Sequence, residues 1–383
     1  MIHIVKAGET LTQIARSYSV SPLFLQEQNK LPNPNQLVVG QCILIPDLSA
    51  PKVPLLLNGY AYPFIKEDIL AEALPVLSSV TIFGYGFRTD GTLLPLDDEP
   101  LLSLLSTAKV EAMMLLSAIT PYGGFSSELA SYMMNNPPMQ EVLLDNILFT
   151  MEQKGYIGLD IDFEYIPTTD KDAFIGFVEY AASRLHSYGY RVNVDLAPKV
   201  SSTQAGLLYE AHDYAALGSI ADTVLLMTYE WGYTYGPPMA VAPLNQVKRV
   251  LDYAITEIPA DKIYMGIPNY GYDWALPFER GITQAVTIGN EEAIELASYY
   301  NTEIQFDPLS VSPFFYYSSE AADTALTPHV VWFEDLRSMQ AKLETALSYQ
   351  FKGIGYWNLM RPFPQNWLLA KHFSIVDNGT FPN

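Results

Sequence analysis

GLDIDFEYI, from Gly158 to Ile166, sets three carboxylates at every second position: Asp160, Asp162 and Glu164. Leu159, Ile161 and Phe163 stand between them. Successive side chains of a β-strand point to opposite faces, so a strand here gathers the acids on one face and the apolar residues on the other. On a helix the same acids would fan out by roughly 200° per step of two. Strict alternation with β-branched and aromatic residues favours the strand. A solvated face on an edge strand would be the bland account of such a row, and the flanks argue against it. A helical pattern precedes, Met139 to Lys154, closed by Gly155; another follows, Asp170 to Tyr188, with Phe174, Phe177, Val178, Ala181 and Leu185 inward. A strand between two helices is central in an α/β sheet and buried on both faces. Acids on a buried strand raise one another's pKa, and they are expected to face a cavity where carboxylates do chemistry.

The run resembles the fourth-strand signature of glycoside hydrolase family 18, D-G-x-D-x-D-x-E. Gly158, Asp160, Asp162 and Glu164 match it, and Ile157 stands where its first Asp would be. The wider chain agrees with a barrel. Strand-like runs fall at 55–62, 80–87, 112–119, 157–164, 191–198, 222–230, 262–271 and 352–358, with helical segments between most pairs. Eight βα units predict a closed (β/α)8 TIM barrel of class α/β spanning residues 55–383. About eighty residues separate the last two runs, too many for a loop. An α+β insertion is expected at about 275–330, holding a helix from Glu291 to Tyr300 and the strand-like runs PFFYYSS and HVVWFED.

Residues 1–47 read as a separate βααβ unit. IHIV alternates as a strand, Thr10 or Glu9 caps a helix with Leu11, Ile14 and Ala15 inward, and Ser21-Pro22 opens a second helix with Phe24 and Leu25 inside. Pro32, Asn33 and Pro34 break the chain before a strand from Gln41 to Ile45. The pattern G-E-T-L…I-A…G-Q-x-L-x-I-P resembles a LysM module. That resemblance implies binding of N-acetylglucosamine-containing glycans, peptidoglycan or chitin, in a groove at Gly8, Glu9, Thr10 and Leu11 facing the turn Leu37 to Gly40. A Pro-containing linker is expected at 48–54.

Composition bounds the partners. Acids outnumber bases 42 to 21, a net charge of −21, which argues against nucleic acid and against an anionic membrane surface. A chain that is 49% hydrophobic and 16% charged can build a large core. The single cysteine, Cys42, forms no intramolecular disulfide, and the five histidines show no H-x-x-x-H pair, so no metal and no cofactor are expected. MIHIVKAGET lacks the basic-then-apolar pattern of a signal peptide, and no apolar run is long enough to span a membrane.

Barrel active sites lie at the C-terminal strand ends. The sixth run ends in MTYEWG, where Tyr229 matches the Tyr of the family's M-x-Y-D pattern and Glu230 replaces its Asp. Trp231, Tyr233 and Tyr235 follow as aromatic residues suited to a sugar platform. Trp357 matches the family's Trp at the floor of the sugar subsite. Asn58, Tyr60 and Tyr62 at the first strand, and Tyr270, Tyr272, Asp273 and Trp274 at the seventh, are further substrate-binding candidates. The third strand departs from S-x-G-G, since Ser117 is followed by Ala118, Ile119 and Thr120. The resemblance implies a substrate-assisted, retaining mechanism in which Glu164 is the proton donor. Asp162 would orient the 2-acetamido group, Asp160 would share a proton with Asp162, and Tyr229 would hold the acetamido oxygen. LysM joined to this domain, with YEWGYTYGPPMAVAPLNQV and GIPNYGYDW, is similar to the spore cortex-lytic N-acetylglucosaminidases of endospore formers. The expected substrate is then spore peptidoglycan or its fragments, and the expected place the spore, after synthesis in the mother cell. A chitinase and a lectin-like protein without activity are the alternatives.

Overall fold

The computed structural model describes residues 1–31, 33–45, 54–320 and 326–374. Pro32 and, apart from Pro54, the linker expected at 48–54 lie outside the described residues. At the N-terminus β1 (Ile2–Ile4) pairs antiparallel with β2 (Cys42–Leu44). Between them lie the helices Leu11–Ser17 and Pro22–Gln28. Thr10 opens the first, its hydroxyl accepting from the Gln13 N–H in a capping box, and Ser21 caps the second with Pro22 behind it. Leu11, Ile14, Ala15, Leu25 and Ile43 close a small core of their own.

The barrel strands are β3 (Leu56–Ala61), β4 (Ser79–Tyr85), β5 (Glu111–Leu116), β6 (Gly158–Ile161), β7 (Arg191–Leu196), β8 (Thr223–Leu226) and β9 (Ile263–Pro268). A second, antiparallel sheet is made of β10 (Gly271–Ala275), β11 (Val286–Ile288), β12 (Gln305–Asp307), β13 (Ser312–Glu320) and β14 (Leu326–Trp332), in the order β11-β10-β14-β13-β12. The chain then returns to the barrel as β15 (Gly353–Trp357). Among the described residues, eight parallel strands form a closed barrel in the order β15-β3-β4-β5-β6-β7-β8-β9. All eight strand-like runs of the sequence are barrel strands. The seventh is shorter than its run, and Tyr272, Asp273 and Trp274 belong to β10 of the second sheet. The helices around β6 are Pro137–Lys154 and Lys171–His186. Asn136 caps the first and Gly155, at φ 75°, ends it. Phe174, Phe177, Val178, Ala181 and Leu185 of the second are buried. No described helix is long and apolar enough to cross a membrane.

The N-terminal unit is seated on the rest of the chain. Val38 packs into a core with Ala293, Ala297, Ile304, Phe315 and Val331, and Cys42 and Leu44 join the main core. The Ile304 N–H donates to the Val39 carbonyl at 2.9 Å, and a Cβ on Gly40 would lie 1.9 Å from the Ile304 oxygen. Arg337 donates to the Gly40 carbonyl at 3.2 Å, the Cys42 thiol to Asp335 at 3.4 Å, and Gln365 to the Asn29 side chain at 3.1 Å.

Candidate active site

The acid row runs up the inside of the barrel and out at its C-terminal mouth. β6 ends at Ile161, but the Asp162 N–H still donates to the Leu116 carbonyl at 3.0 Å, so the extended backbone continues. Two contacts pin the residues beyond the strand end. The Ser117 hydroxyl donates to the Asp162 carbonyl at 2.6 Å, and His212 Nε2 lies 3.1 Å from the Phe163 carbonyl. The Ala197 N–H donates to His212 Nδ1 at 2.9 Å, so Nε2 carries the proton. Burial holds this imidazole neutral, its pKa down at about 4. Tyr165, at φ 54°, then turns the chain away.

Depth sorts the three acids. Asp160 is 1% exposed and Asp162 5%, while Glu164 is half-buried. Asp160 accepts from Asn193 at 2.6 Å and from the Tyr60 hydroxyl at 2.9 Å, with Thr81 at 3.4 Å. Burial raises its pKa and these bonds oppose the rise. Asp162 is raised well above the usual carboxylate range, first by burial and then by Glu164 and Asp160. Its Oδ1 is buried with no hydrogen-bond partner among the described residues. Glu164 is raised by burial and by the charge of Glu230.

Asp162, Glu164, Tyr229, Glu230, Trp231 and Trp357 line one cleft of 780 Å³. Tyr229 is packed against Gly266, where a Cβ would come within 2.7 Å of its ring. Glu230 sits at φ 67°, a left-handed backbone that a non-glycine residue holds at a cost of order 1–3 kcal/mol. Its carboxylate accepts from the hydroxyls of Tyr270 and Tyr272, the latter at 3.0 Å. The replacement of Asp by Glu thus reaches two tyrosines supplied by the start of the second sheet and by the turn before it. Trp357 meets Tyr60, Phe83 and Tyr62 with ring centroids 5.8, 5.4 and 6.4 Å away.

Other candidates are placed elsewhere. Asn58 is not at the mouth. It lines a separate hollow of 290 Å³ reaching from the barrel's foot to Asp160, and binds Thr81 at 3.1 Å and Ser79 at 2.9 Å. The reason is pitch: two residues before Tyr60 on β3, it lies one layer deeper. Tyr60 is 1% exposed and lies beneath the cleft, its hydroxyl shared between Asp160 and Asp195, so it positions carboxylates and does not meet a sugar. In the N-terminal unit Leu11 is 3% exposed and belongs to the core, and Thr10 is engaged as a helix cap. Glu9 accepts from the Lys6 N–H at 2.8 Å and lies 2.9 Å from His3 Nε2, while Gly8 is exposed at φ 78°. The facing turn holds Val38 and Gly40 against the second sheet, so this groove is not open along its length.

Sequence reasoning missed Asp195. It is 3% exposed, accepts from Tyr60 at 2.8 Å and from Asn193 at 3.1 Å, and shares a hydrogen bond with Asp160. Burial, then Asp160 and Asp162, raise it well above the usual range. Asp160's hydrogen bonds thus run to Asp195, Asn193, Thr81 and Tyr60. The signal was available in RVNVDL, where Asn193 and Asp195 share one face, and Asn193 pairs in register with Asp160. Phe125, Tyr165 and Tyr209 also line the cleft. They come from loops, which carry no periodicity to read.

The chain is similar to known proteins along its length. Residues 101–361 match the family model of glycosyl hydrolases family 18, and residues 3–46 match the LysM domain. The chain is 36% identical to the cortical fragment-lytic enzyme of Bacillus subtilis (strain 168), over 98% of each chain. It is similar to the crystal structure of the spore cortex-lytic enzyme SleL of Bacillus megaterium QM B1551, with a TM-score of 0.91 and 34% identity over 99% of each chain. A chitinase from Chromobacterium violaceum ATCC 12472 shares the fold at 23% identity, with a TM-score of 0.75 over 83% of this chain and 98% of its own.

Proposed function

The chain belongs to glycoside hydrolase family 18 and carries a LysM domain, and from that premise we propose that it cleaves peptidoglycan of the spore cortex, or fragments of it, on the reducing side of N-acetylglucosamine. The names of the relatives that match over nearly their whole length support the polymer and the spore as its place. The N-terminal residues 1–47 then act with the catalytic residues 55–383 on the same glycan.

Asp162 carries the chemical reading. A buried carboxylate oxygen without a partner, facing a sugar-sized cleft, is an acceptor awaiting an N–H. The 2-acetamido group of the sugar being cleaved supplies one. Held there, the acetamido oxygen attacks C1 with retention overall, so that no enzyme nucleophile is required, as in the substrate-assisted branch of glycosidases. Asp162, its pKa raised by burial and by its acidic neighbours, shares a proton with Asp160, and the negative charge it gains as that proton moves away stabilises the cation as it forms. Glu164, its pKa raised by burial and by Glu230, stays protonated long enough to donate to the leaving oxygen, and then takes a proton from water. Tyr229 steadies the acetamido oxygen, and Trp357 supplies the floor.

Digestion of purified spore peptidoglycan, with new reducing ends identified by mass spectrometry, tests this. Products ending in N-acetylglucosamine are expected. Products ending in N-acetylmuramic acid would refute the bond assignment, and equal or faster turnover of chitin oligomers would move the substrate to chitin.

A further inference from the structure

The expected groove on the N-terminal unit is partly closed, yet a hollow opens beside it. This hollow, of 410 Å³, lies between residues 29–31 and 33–41 on one side and the helix Asn290–Tyr299 of the second sheet's layer on the other. Leu31, Leu37, Val38 and Ile294 give it apolar walls, and Asn33, Gln36, Glu291 and Ser298 give it a polar rim. Tyr299 stands at one side with 78% of its surface exposed. Tyr299 and Glu295 also border a second hollow of 360 Å³, lined by Asp273, Ile288 and Tyr317, so the two hollows meet at the tyrosine.

The ring is held in place. Tyr300 meets it edge-on with centroids 4.9 Å apart, and Tyr300 in turn packs on Tyr317 at 4.4 Å. The second hollow flanks the back of β10, the side of Asp273. Tyr272 of that strand binds Glu230, which lines the cleft, and Trp274 donates to the Gly236 carbonyl. The groove is therefore distinct from the catalytic cleft. An aromatic face beside apolar walls and hydrogen-bonding groups is a surface that suits a pyranose ring: its C–H face packs on the ring and its hydroxyls and acetamido reach the rim. Lys30, Glu291 and Glu295 are charged residues in the lining of the first hollow. Burial together with Glu72 and Glu295 pushes Glu291 up to about 7. Such a rim can both donate to and accept from sugar hydroxyls, and it gives a strongly anionic ligand no advantage.

We propose that this shared groove, with Tyr299 as its stacking platform, is a second glycan site that holds a strand of the N-acetylhexosamine polymer outside the catalytic cleft. The site needs both units, so glycan capture depends on their docking as well as on the N-terminal unit. The proposal rests on the peptidoglycan reading above.

Its test is co-sedimentation of the full chain with insoluble spore peptidoglycan, beside the rate on short soluble fragments. Glu164→Gln serves as the background for sedimentation, so that the polymer is not consumed. Tyr299→Ala should weaken retention roughly tenfold, the scale of losing an aromatic anchor, and more than it changes the rate on soluble fragments. Gln36→Ala should weaken it by less, and Tyr132→Ala, an exposed tyrosine on another helix, should leave it unchanged. Retention untouched by Tyr299→Ala but lost in Glu9→Ala would place the polymer on the other side of the unit and overturn the proposal. So would an equal loss in Tyr132→Ala, which would make adhesion nonspecific. If the Glu164→Gln background does not sediment with peptidoglycan at all, the substrate reading falls with it.

Discussion

At the scale of single residues, the site separates its carboxylates in depth. Asp160 is tied down, Asp162 is left with an open oxygen, and Glu164 reaches the mouth. Glu164→Gln keeps the shape and removes the proton, so turnover should fall about 10²–10⁴-fold while binding of the glycan persists. Asp162→Asn should also be slow, because an amide cannot stabilise the cation. The double variant should be little worse than the slower single one, since both act in one step. Steady-state rates on peptidoglycan fragments check all three. Glu230 makes a second, directional prediction. Its negative charge raises the pKa of Glu164, and a general acid is active only while protonated. Neutral Glu230→Gln lowers that pKa, so the basic limb of the pH–kcat profile should move to lower pH. A limb that stays in place would mean that Glu230 does not act on Glu164.

At the scale of elements, three strands of the barrel share one hydrogen-bond network across its interior. Tyr60 of β3 joins Asp160 of β6 to Asp195 of β7, and Asn193 binds both acids. Packing alone would favour a leucine or valine layer here. Tyr60→Phe keeps the ring and removes the hydroxyl that favours the ionised form of both acids. Their pKa values should rise. The ionised row is then lost at a higher pH, so the acidic limb of the rate profile should shift upward. Stability should also drop by roughly 1–3 kcal/mol for the unsatisfied buried groups, measured by urea denaturation at neutral pH. An unchanged acidic limb would separate this network from the catalytic step.

At the scale of the whole molecule, the N-terminal unit is a built-in part. It contributes Cys42 and Leu44 to the main core and Val38 to a second one, and it is bonded through Gly40, Cys42 and Asn29 to Arg337, Asp335 and Gln365. Removing residues 1–45 uncovers Ile304 and Val331 and takes from the Ile304 N–H and from the side chains of Asp335, Arg337 and Gln365 their partners in the N-terminal unit. The truncated chain should therefore melt several degrees lower by calorimetry, and its rate on soluble fragments should suffer with it. A truncated chain as stable as the whole would show that the docked face contributes little.

Local rules carried much of this. Alternation around Ile161, the helices on either side and eight repeats of strand and helix pointed to the barrel, because a strand buried on both faces writes its surroundings into its own sequence. Asp160, Asp162 and Glu164 were legible for the same reason, since a period of two is a statement about one face. Asp195 lay in plain view on β7, but its partners are on β3 and β6, and one strand's sequence does not say what stands across a barrel. Asn58 was misplaced because the height of a residue along the barrel axis depends on how neighbouring strands are staggered. The docking of Val38 and Gly40 on the second sheet, and the groove that it leaves beside Tyr299, depended on surfaces more than two hundred residues apart. Such contacts leave no period in either segment, and only the packed tertiary structure could decide them.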